Sequence, residues 1–175
     1  MNLREEKNKE SLMPRGTIIE NKSLSVKVAL TAITAALYIA LGYLFQPFGF
    51  LGVQFRVAEL IVGMCLLFPL EGMLGKVIGV FFVNLSSPFV PFDLLSTIVN
   101  VPALYCIIIF RNKRILKYLG SVLYAIIISF YVAILIYFMV SVPIWITFIQ
   151  VFISEVILAS LGILLFTLIK VRLEM

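Results

Sequence analysis

Residues 118–140 read YLGSVLYAIIISFYVAILIYFMV, an apolar run that contains no charged side chain. A helix needs roughly 20 predominantly apolar residues to cross the hydrocarbon core of a bilayer, and this run is long enough. Of the 175 residues in the chain, 62% are hydrophobic and 13% are charged. Soluble domains are nearer to half apolar and a quarter charged. The chain is therefore expected to be an all-α integral membrane protein.

Five further apolar runs accompany the first. They occupy residues 24–45, 53–68, 73–85, 93–110 and 144–169. The six runs predict a bundle of six transmembrane helices within residues 22–175, although the run at 53–68 is short for a span. The polar residues 1–21, which mix both charges, predict a flexible cytoplasmic tail. Because the connections are short, consecutive helices are expected to be antiparallel neighbours.

The distribution of Lys and Arg predicts the orientation, because cytoplasmic loops carry an excess of both residues. If the N-terminus is cytoplasmic, thirteen of the fourteen Lys and Arg lie on the inner side, and only Arg56 lies toward the outside. Both termini are therefore predicted to be cytoplasmic. In this arrangement Glu71 and Lys76 are interpreted as a solvated cytoplasmic turn. The net charge of +5 reflects Lys and Arg at the ends of the apolar runs, where they orient helices in the membrane, and does not indicate binding to nucleic acid.

The inventory of reactive residues argues against an enzyme. Histidine is absent, and Cys65 and Cys106 are isolated within apolar runs. This excludes a zinc site of paired Cys and His and makes a disulfide framework improbable. The sequence contains neither a G-x-S-x-G nucleophile motif nor a phosphate-binding G-x-x-x-x-G-K-[ST] motif. We expect no catalytic residues, no metal and no cofactor.

The stretch Gln54-Phe55-Arg56-Val57-Ala58-Glu59 places two charges in an apolar helix. Charged residues within a membrane span are costly, so they usually face the bundle interior and pair. Arg56 and Glu59 are three residues apart and would share a helical face. Two interpretations follow. The two side chains form a purely structural ion pair, or Glu59 faces a binding pocket and Arg56 holds it ionised.

Two further polar residues fall in the same predicted outer half. Asn84 ends the third run, and Asp93 begins the fourth. Asp93 could cap its helix, where a carboxylate satisfies free backbone N–H groups. Alternatively, these residues converge with Gln54, Arg56 and Glu59 on a cavity that is open to the outside. Asn100 would form the floor of this cavity, and Gln150 and Glu155 are weaker candidates.

Small residues recur at every fourth position of the first run, at Ala32, Ala36 and Ala40. Such a strip lets another helix approach closely. It can serve internal packing or the docking of a partner helix, and both interpretations stay open at this point.

Several of these segments resemble one known family. The resemblance is carried by residues 53–59 (VQFRVAE), Phe68-Pro69, Leu74-Gly75, Asn84 and Pro91-Phe92-Asp93. They are similar to the queuosine-precursor transporter family, whose members are substrate-binding S-components of energy-coupling factor (ECF) transporters. Three features depart from the family pattern. Residues 94–100 (LLSTIVN) replace the small-residue-rich segment that is expected after Asp93, and they put Asn100 in an unexpected place. Val90-Pro91-Phe92-Asp93 stands where Gly-Pro-Leu-Asp is usual, and Lys76 is unusual.

The resemblance implies a subunit of an ECF-type ABC importer in the plasma membrane. It would bind a solute at the outer face and deliver it inward with a transmembrane coupling subunit and two cytoplasmic ATPases. In S-components generally, an alanine strip on the first helix docks on the coupling subunit. The implied solute is a 7-deazaguanine such as preQ1 or preQ0. The alternatives are an S-component for another vitamin or base, or a membrane scaffold that does not transport.

The resemblance also implies roles for individual side chains. Glu59 would accept the ring N1–H and the exocyclic amine of the base, two adjacent donors that suit a carboxylate. Asp93 would pair with a cationic aminomethyl group, and Arg56 would orient Glu59. Asn84 and Gln54 would bind the carbonyl or ring nitrogens, and the ring of Phe55, Phe89 or Phe92 would stack on the base. The predicted substrate-binding residues are Gln54, Phe55, Arg56, Glu59, Asn84, Phe92, Asp93 and Asn100.

Overall fold

The structure, a computed structural model, describes residues 23–50 and 55–173. Within these ranges it is helical and contains no β-strand. The α-helices of the described residues are α1 (Leu24–Leu44), α2 (Gln46–Phe50), α3 (Met64–Leu67), α4 (Pro69–Asn84), α5 (Ser96–Phe110), α6 (Leu116–Val140) and α7 (Ile144–Leu173). Two 3₁₀ helices, Val57–Gly63 and Phe92–Leu95, lead directly into α3 and α5. The tail predicted for residues 1–21 lies outside the described residues.

Among the described residues, four segments are long and apolar enough to cross a membrane. They are Leu24–Leu44, Phe92–Phe110, Leu116–Val140 and Ile144–Arg172. Each exceeds the minimum of about 17 residues for a spanning helix. The chain is thus a multi-pass helical membrane protein, as its composition predicts. The predicted count of six spans is not confirmed.

The remaining two predicted spans are shorter than expected. The run at 53–68 contains the 3₁₀ helix Val57–Gly63 followed by a single turn, α3, which together extend only about 20 Å. Helix α4 has 16 residues and extends about 24 Å. Both are shorter than the hydrocarbon core, which is about 30 Å thick.

Backbone chemistry explains where these helices break. Phe68 separates α3 from α4 with φ of −133° and ψ of 84°. The following residue, Pro69, disfavours the helical conformation for its predecessor and suits the first turn of a new helix. At the other end of the bundle, Ser141 ends α6 in the left-handed conformation, with φ of 59°. Pro143 then precedes α7.

Helices α1 and α4 pack closely because α4 presents glycine at positions 75 and 79. A Cβ on Gly75 would lie 2.5 Å from the Thr31 carbonyl oxygen. A Cβ on Gly79 would lie 2.7 Å from Tyr38 Cβ, closer than real Cβ atoms approach their neighbours. Small residues at this spacing allow helices in a membrane to approach at short range.

The segment Val57–Leu67 runs through the interior of the bundle. Its first part, the 3₁₀ helix, packs against α1, α4 and α7, and every residue from Ile61 to Leu67 is buried. This short segment therefore contacts other helices on all sides instead of lipid. It is the element that brings Glu59 into the centre of the protein.

Candidate functional site

Glu59 lies at the centre of a buried polar network and is only 2% exposed. Its Oε2 atom is 2.9 Å from Lys76 Nζ and accepts a hydrogen bond of 2.5 Å from the Tyr124 hydroxyl. Its Oε1 atom accepts a hydrogen bond of 2.7 Å from the Tyr38 hydroxyl. Three side chains from α1, α4 and α6 thus fix one carboxylate from the 3₁₀ helix.

Lys76 is completely buried in the middle of α4. Its ammonium also donates to Asn100 Oδ1 at 2.7 Å and to the Tyr124 hydroxyl at 2.6 Å. The same ammonium lies 4.7 Å from the centre of the Tyr124 ring, within the range of a cation–π interaction. The prediction of a solvated turn at Lys76 is therefore wrong, because α4 begins at Pro69 and puts this residue two turns inside the helix.

A second pair of charges lies beside this network. Arg56 Nη2 is 3.7 Å from Asp93 Oδ2, and the side chains are 13% and 2% exposed. The predicted pairing of Arg56 with Glu59 is therefore not the one that the structure contains. Arg56 precedes the 3₁₀ helix with φ of −88° and ψ of 86°, so the two residues do not lie on a common α-helical face.

Asn84 has a structural task at the end of α4. Its Nδ2 atom donates to the Asp93 carbonyl oxygen at 3.0 Å and to Ser96 Oγ at 2.7 Å. The Ser96 hydroxyl in turn donates to the Asp93 carbonyl oxygen at 2.7 Å. These bonds tie α4 to the start of α5 and hold the Asp93 backbone in place. The Asp93 carboxylate stays directed toward Arg56.

Glu155 from α7 adds a third buried carboxylate and is 1% exposed. It interacts electrostatically with Glu59, Lys76 and Arg56. Its Oε2 atom is buried, and no group in the described part of the chain donates a hydrogen bond to it. Buried polar atoms normally have a partner, so this oxygen requires an explanation.

We define the buried charge cluster as Arg56, Glu59, Lys76, Asp93 and Glu155. With every side chain in its ordinary ionised form, three carboxylates oppose two cations, which leaves one negative charge in excess. Burying an unmatched charge is strongly unfavourable. One further positive charge, either a proton on a buried carboxyl group or a cationic group of a solute, would balance the cluster.

A cavity of about 20 Å³ adjoins this cluster. Among its lining residues are Tyr38, Gln46, Arg56, Val83 and Asn84. A volume of this order holds about one water molecule. The cavity is thus far too small for a nucleobase, and the residues around it must separate before a solute of that size can bind.

The structure brings together Arg56, Glu59, Asn84, Asp93 and Asn100, five of the eight predicted site residues. Asn100 is buried and fixes Lys76, as its predicted position at the floor would allow. The Phe92 side chain is instead exposed on the outside of the bundle. Phe55 is half-buried, and its backbone N–H donates to the Phe48 carbonyl oxygen. Gln54 lies outside the described residues.

Sequence reasoning missed Lys76, Tyr38 and Tyr124. For Lys76 a signal existed, since a lysine inside an apolar run is a candidate for a buried functional charge. The two tyrosines had no such signal, because Tyr is common throughout membrane helices and at their ends.

The predicted docking strip is exposed along α1. Ala32, Ala36 and Ala40 all lie on the outer surface of the bundle, while Thr34, Ala35 and Tyr38 face the interior. Internal packing, one of the two interpretations of this strip, is therefore excluded in this structure.

Comparison with known proteins gives one match. The model of one protein family, described as QueT transporter, matches residues 28–171. These residues include every described member of the buried charge cluster and the alanine strip. The chain matches no curated protein and no solved structure.

Proposed function

We propose, from the premise that the chain belongs to the QueT transporter family, that it is the substrate-binding S-component of an ECF-type importer. In this proposal it binds a queuosine precursor at the outer face of the plasma membrane. A transmembrane coupling subunit and two cytoplasmic ATPases then drive delivery inward. The family membership implies a role in transport and not in catalysis.

The observation that carries the proposal is the buried charge cluster. A polar network of this kind is expensive inside a membrane protein and is typical of a solute pathway or binding site. A carboxylate such as Glu59 can accept two adjacent N–H donors at once, and the guanine-like edge of a 7-deazaguanine presents such a pair. Glu59 is already held in place by Tyr38 and Tyr124, so it is pre-oriented as an acceptor.

The excess of negative charge favours a cationic form of the solute. A 7-deazaguanine with an aminomethyl side chain (preQ1) is positively charged, whereas the corresponding nitrile (preQ0) is neutral. Binding the cation would balance the three carboxylates of the cluster, and the attraction is strong where water is excluded. Asp93 and Glu155 each have a buried carboxylate oxygen without a hydrogen-bond partner among the described residues, and they are the acceptors that we assign to this charge.

The hydrogen bonds that Glu59 already accepts determine which contacts a solute must replace when it binds. Each Glu59 oxygen already accepts at least one hydrogen bond from the chain itself, and Lys76 occupies one of them. Two donors from a base can bind only if some of these partners are displaced. In our proposal the solute replaces the Lys76 ammonium at Glu59. Lys76 then keeps Asn100 as its hydrogen-bond acceptor.

The orientation and the partners are part of the same proposal. Basic residues of the α5–α6 loop and of the end of α7 line a common cavity, which fits a cytoplasmic position for this end of the bundle. The exposed Ala32, Ala36 and Ala40 offer a smooth surface to a partner helix, for which we propose the coupling subunit.

Isothermal titration of the purified full chain with preQ1, in the absence of ATP, tests the proposal. We expect saturable binding, and Glu59→Gln should weaken it more than tenfold, which corresponds to about 1.4 kcal/mol. Glu71→Gln is the matched control, because Glu71 lies in the first turn of α4 outside the cluster. Tight binding of a different vitamin or base would reassign the solute. The absence of binding to any of them would contradict the role as an S-component.

A further inference from the structure

A second cavity, of about 210 Å³, lies at the basic end of the bundle. Three segments converge on it, namely α3, the α5–α6 loop with the start of α6, and the last turns of α7. It is lined by Leu66, Arg111, Asn112, Lys113, Arg114, Lys117, Thr167, Lys170 and Val171. Five of these nine residues are cationic, and none is acidic. The cavity is thus complementary to an anion.

Lys117 contributes a cation to this cavity whose position is fixed by the surrounding chain. The residue is only 9% exposed, and its ammonium donates to Thr167 Oγ1 at 2.7 Å. An ammonium has three donors, and the other two meet no acceptor among the residues that the structure describes. The Thr167 hydroxyl donates to the Ile163 carbonyl oxygen at 2.6 Å, which directs its lone pairs toward Lys117. The ammonium also lies 5.4 Å from the centre of the Tyr118 ring, but no carboxylate among the described residues pairs with it, so it lacks a counter-charge there.

The position of the cavity identifies the source of that counter-charge. The α5–α6 loop joins two candidate spans, Phe92–Phe110 and Leu116–Val140, so it lies at the level of the lipid head groups. Leu66 and Val171 add an apolar wall beside the cations. Basic pockets between membrane helices at this depth bind the head groups of anionic lipids. A volume below the range of about 300–1,000 Å³ for complete ligands fits a head group better than a whole solute.

We propose that this cavity binds the phosphate head group of an anionic phospholipid, with Arg111, Arg114 and Lys117 as its principal contacts. The bound lipid fixes the α5–α6 loop against the end of α7. This site is separate from the buried charge cluster, and the proposal does not depend on what the protein transports.

Native mass spectrometry of the detergent-purified full chain tests the proposal. Phosphatidylglycerol and phosphatidylcholine are added separately, and the retained lipid is counted. The test variant is Arg111→Gln with Arg114→Gln. The matched control is Lys27→Gln with Arg172→Gln, which also removes two charges, from exposed residues that do not line the cavity.

We expect the parent chain to retain phosphatidylglycerol in preference to phosphatidylcholine. Each cation removed from the site should weaken retention about fivefold, and so roughly 25-fold for the test variant, because basic residues contribute comparably to binding of anionic lipid. The control should weaken it less than about threefold, since its charges lie outside the cavity. Lys117→Met should also weaken retention. Its thermal melting curve shows whether the fold is intact, and Lys117→Arg should restore binding.

Four outcomes would overturn the proposal. Equal retention of the two lipids would remove the preference for a negative head group. Equal weakening in the test and control variants would reduce the effect to general surface charge. Displacement of the lipid by inorganic phosphate would indicate a small-anion site. Failure to retain any lipid would leave the cavity without the proposed ligand.

Discussion

Replacing Lys76 by methionine tests the buried network at its most constrained point. The substitution preserves most of the side-chain volume but removes an ammonium that contacts Glu59, Asn100 and Tyr124. The Glu59 carboxylate then stays buried without its nearest cation, at a position 2% exposed. Breaking a buried ion pair in this way typically costs about 3–5 kcal/mol.

The structure places the expected cost at the lower end of that range. After the substitution Glu59 still accepts hydrogen bonds from the hydroxyls of Tyr38 and Tyr124. We therefore expect a loss of about 3 kcal/mol in the free energy of unfolding. For a chain of this length, that loss lowers the melting temperature by roughly 6–12 °C. The double variant Lys76→Met, Glu59→Gln should recover at least half of the loss, because no unpaired carboxylate remains at Glu59.

The two cysteines provide the assay. Cys65 is completely buried, so a thiol-reactive fluorescent dye labels it only when the bundle opens. Cys106 is partly accessible and is replaced by serine in all variants to remove the background signal. Lys117→Met serves as the control, since Lys117 bonds to the Thr167 hydroxyl and leaves no carboxylate unpaired. The reasoning is refuted if Lys76→Met melts no earlier than Lys117→Met, or if the double variant melts as early as the single one.

Three further predictions follow from other contacts. Gly79→Leu should lower the free energy of unfolding by about 1–3 kcal/mol through overpacking, because even a Cβ at this position collides with Tyr38. Thermal melting measures this loss, and an unchanged melting temperature would contradict the close packing. Asn84→Ala should cost about 1–2 kcal/mol in the same assay, since the Asp93 carbonyl oxygen keeps the Ser96 hydroxyl as donor. Because Ala36 is exposed on the outer surface, Ala36→Trp should leave solute binding unchanged but abolish co-purification with a coupling subunit. Retained co-purification would exclude the alanine strip as the docking surface.

The long helices could be predicted from the sequence because their length and hydropathy are sufficient signals. The predicted runs at 24–45, 118–140 and 144–169 agree with α1, α6 and α7 within four residues at every end. The run at 53–68 could not be resolved in the same way. Its apolar composition is compatible with a span, a 3₁₀ helix or a buried turn of α-helix, and hydropathy does not distinguish these conformations.

The sequence was sufficient to predict which residues converge at the candidate site, but not which of their side chains pair with one another. Polar side chains in apolar segments turn inward, so the convergence of Glu59, Asp93 and Asn100 follows from composition. The pairing of Arg56 with Glu59 assumed an α-helix through both residues. The extended backbone at Arg56 removes that assumption and directs the side chain to Asp93. Lys76 was misplaced because the predicted helix began four residues too late.

Glu155 is the residue whose role depends most on the structure. Its sequence position in the last apolar run gave it little weight, yet it supplies a buried carboxylate oxygen that accepts no hydrogen bond from the described residues. In our account Glu155→Gln removes the excess negative charge of the cluster. This variant should therefore bind the neutral nitrile as well as the parent chain does, while its affinity for the aminomethyl base should fall about tenfold.

The most direct test of the central claim compares the two bases on the unmodified protein. Titration of the purified chain with preQ1 and with preQ0 in the same buffer measures how far one positive charge on the solute contributes to binding. A cluster with one carboxylate in excess predicts that the cationic base binds at least tenfold more tightly, or about 1.4 kcal/mol. Equal affinity for the two bases, or tighter binding of the neutral one, would contradict the account.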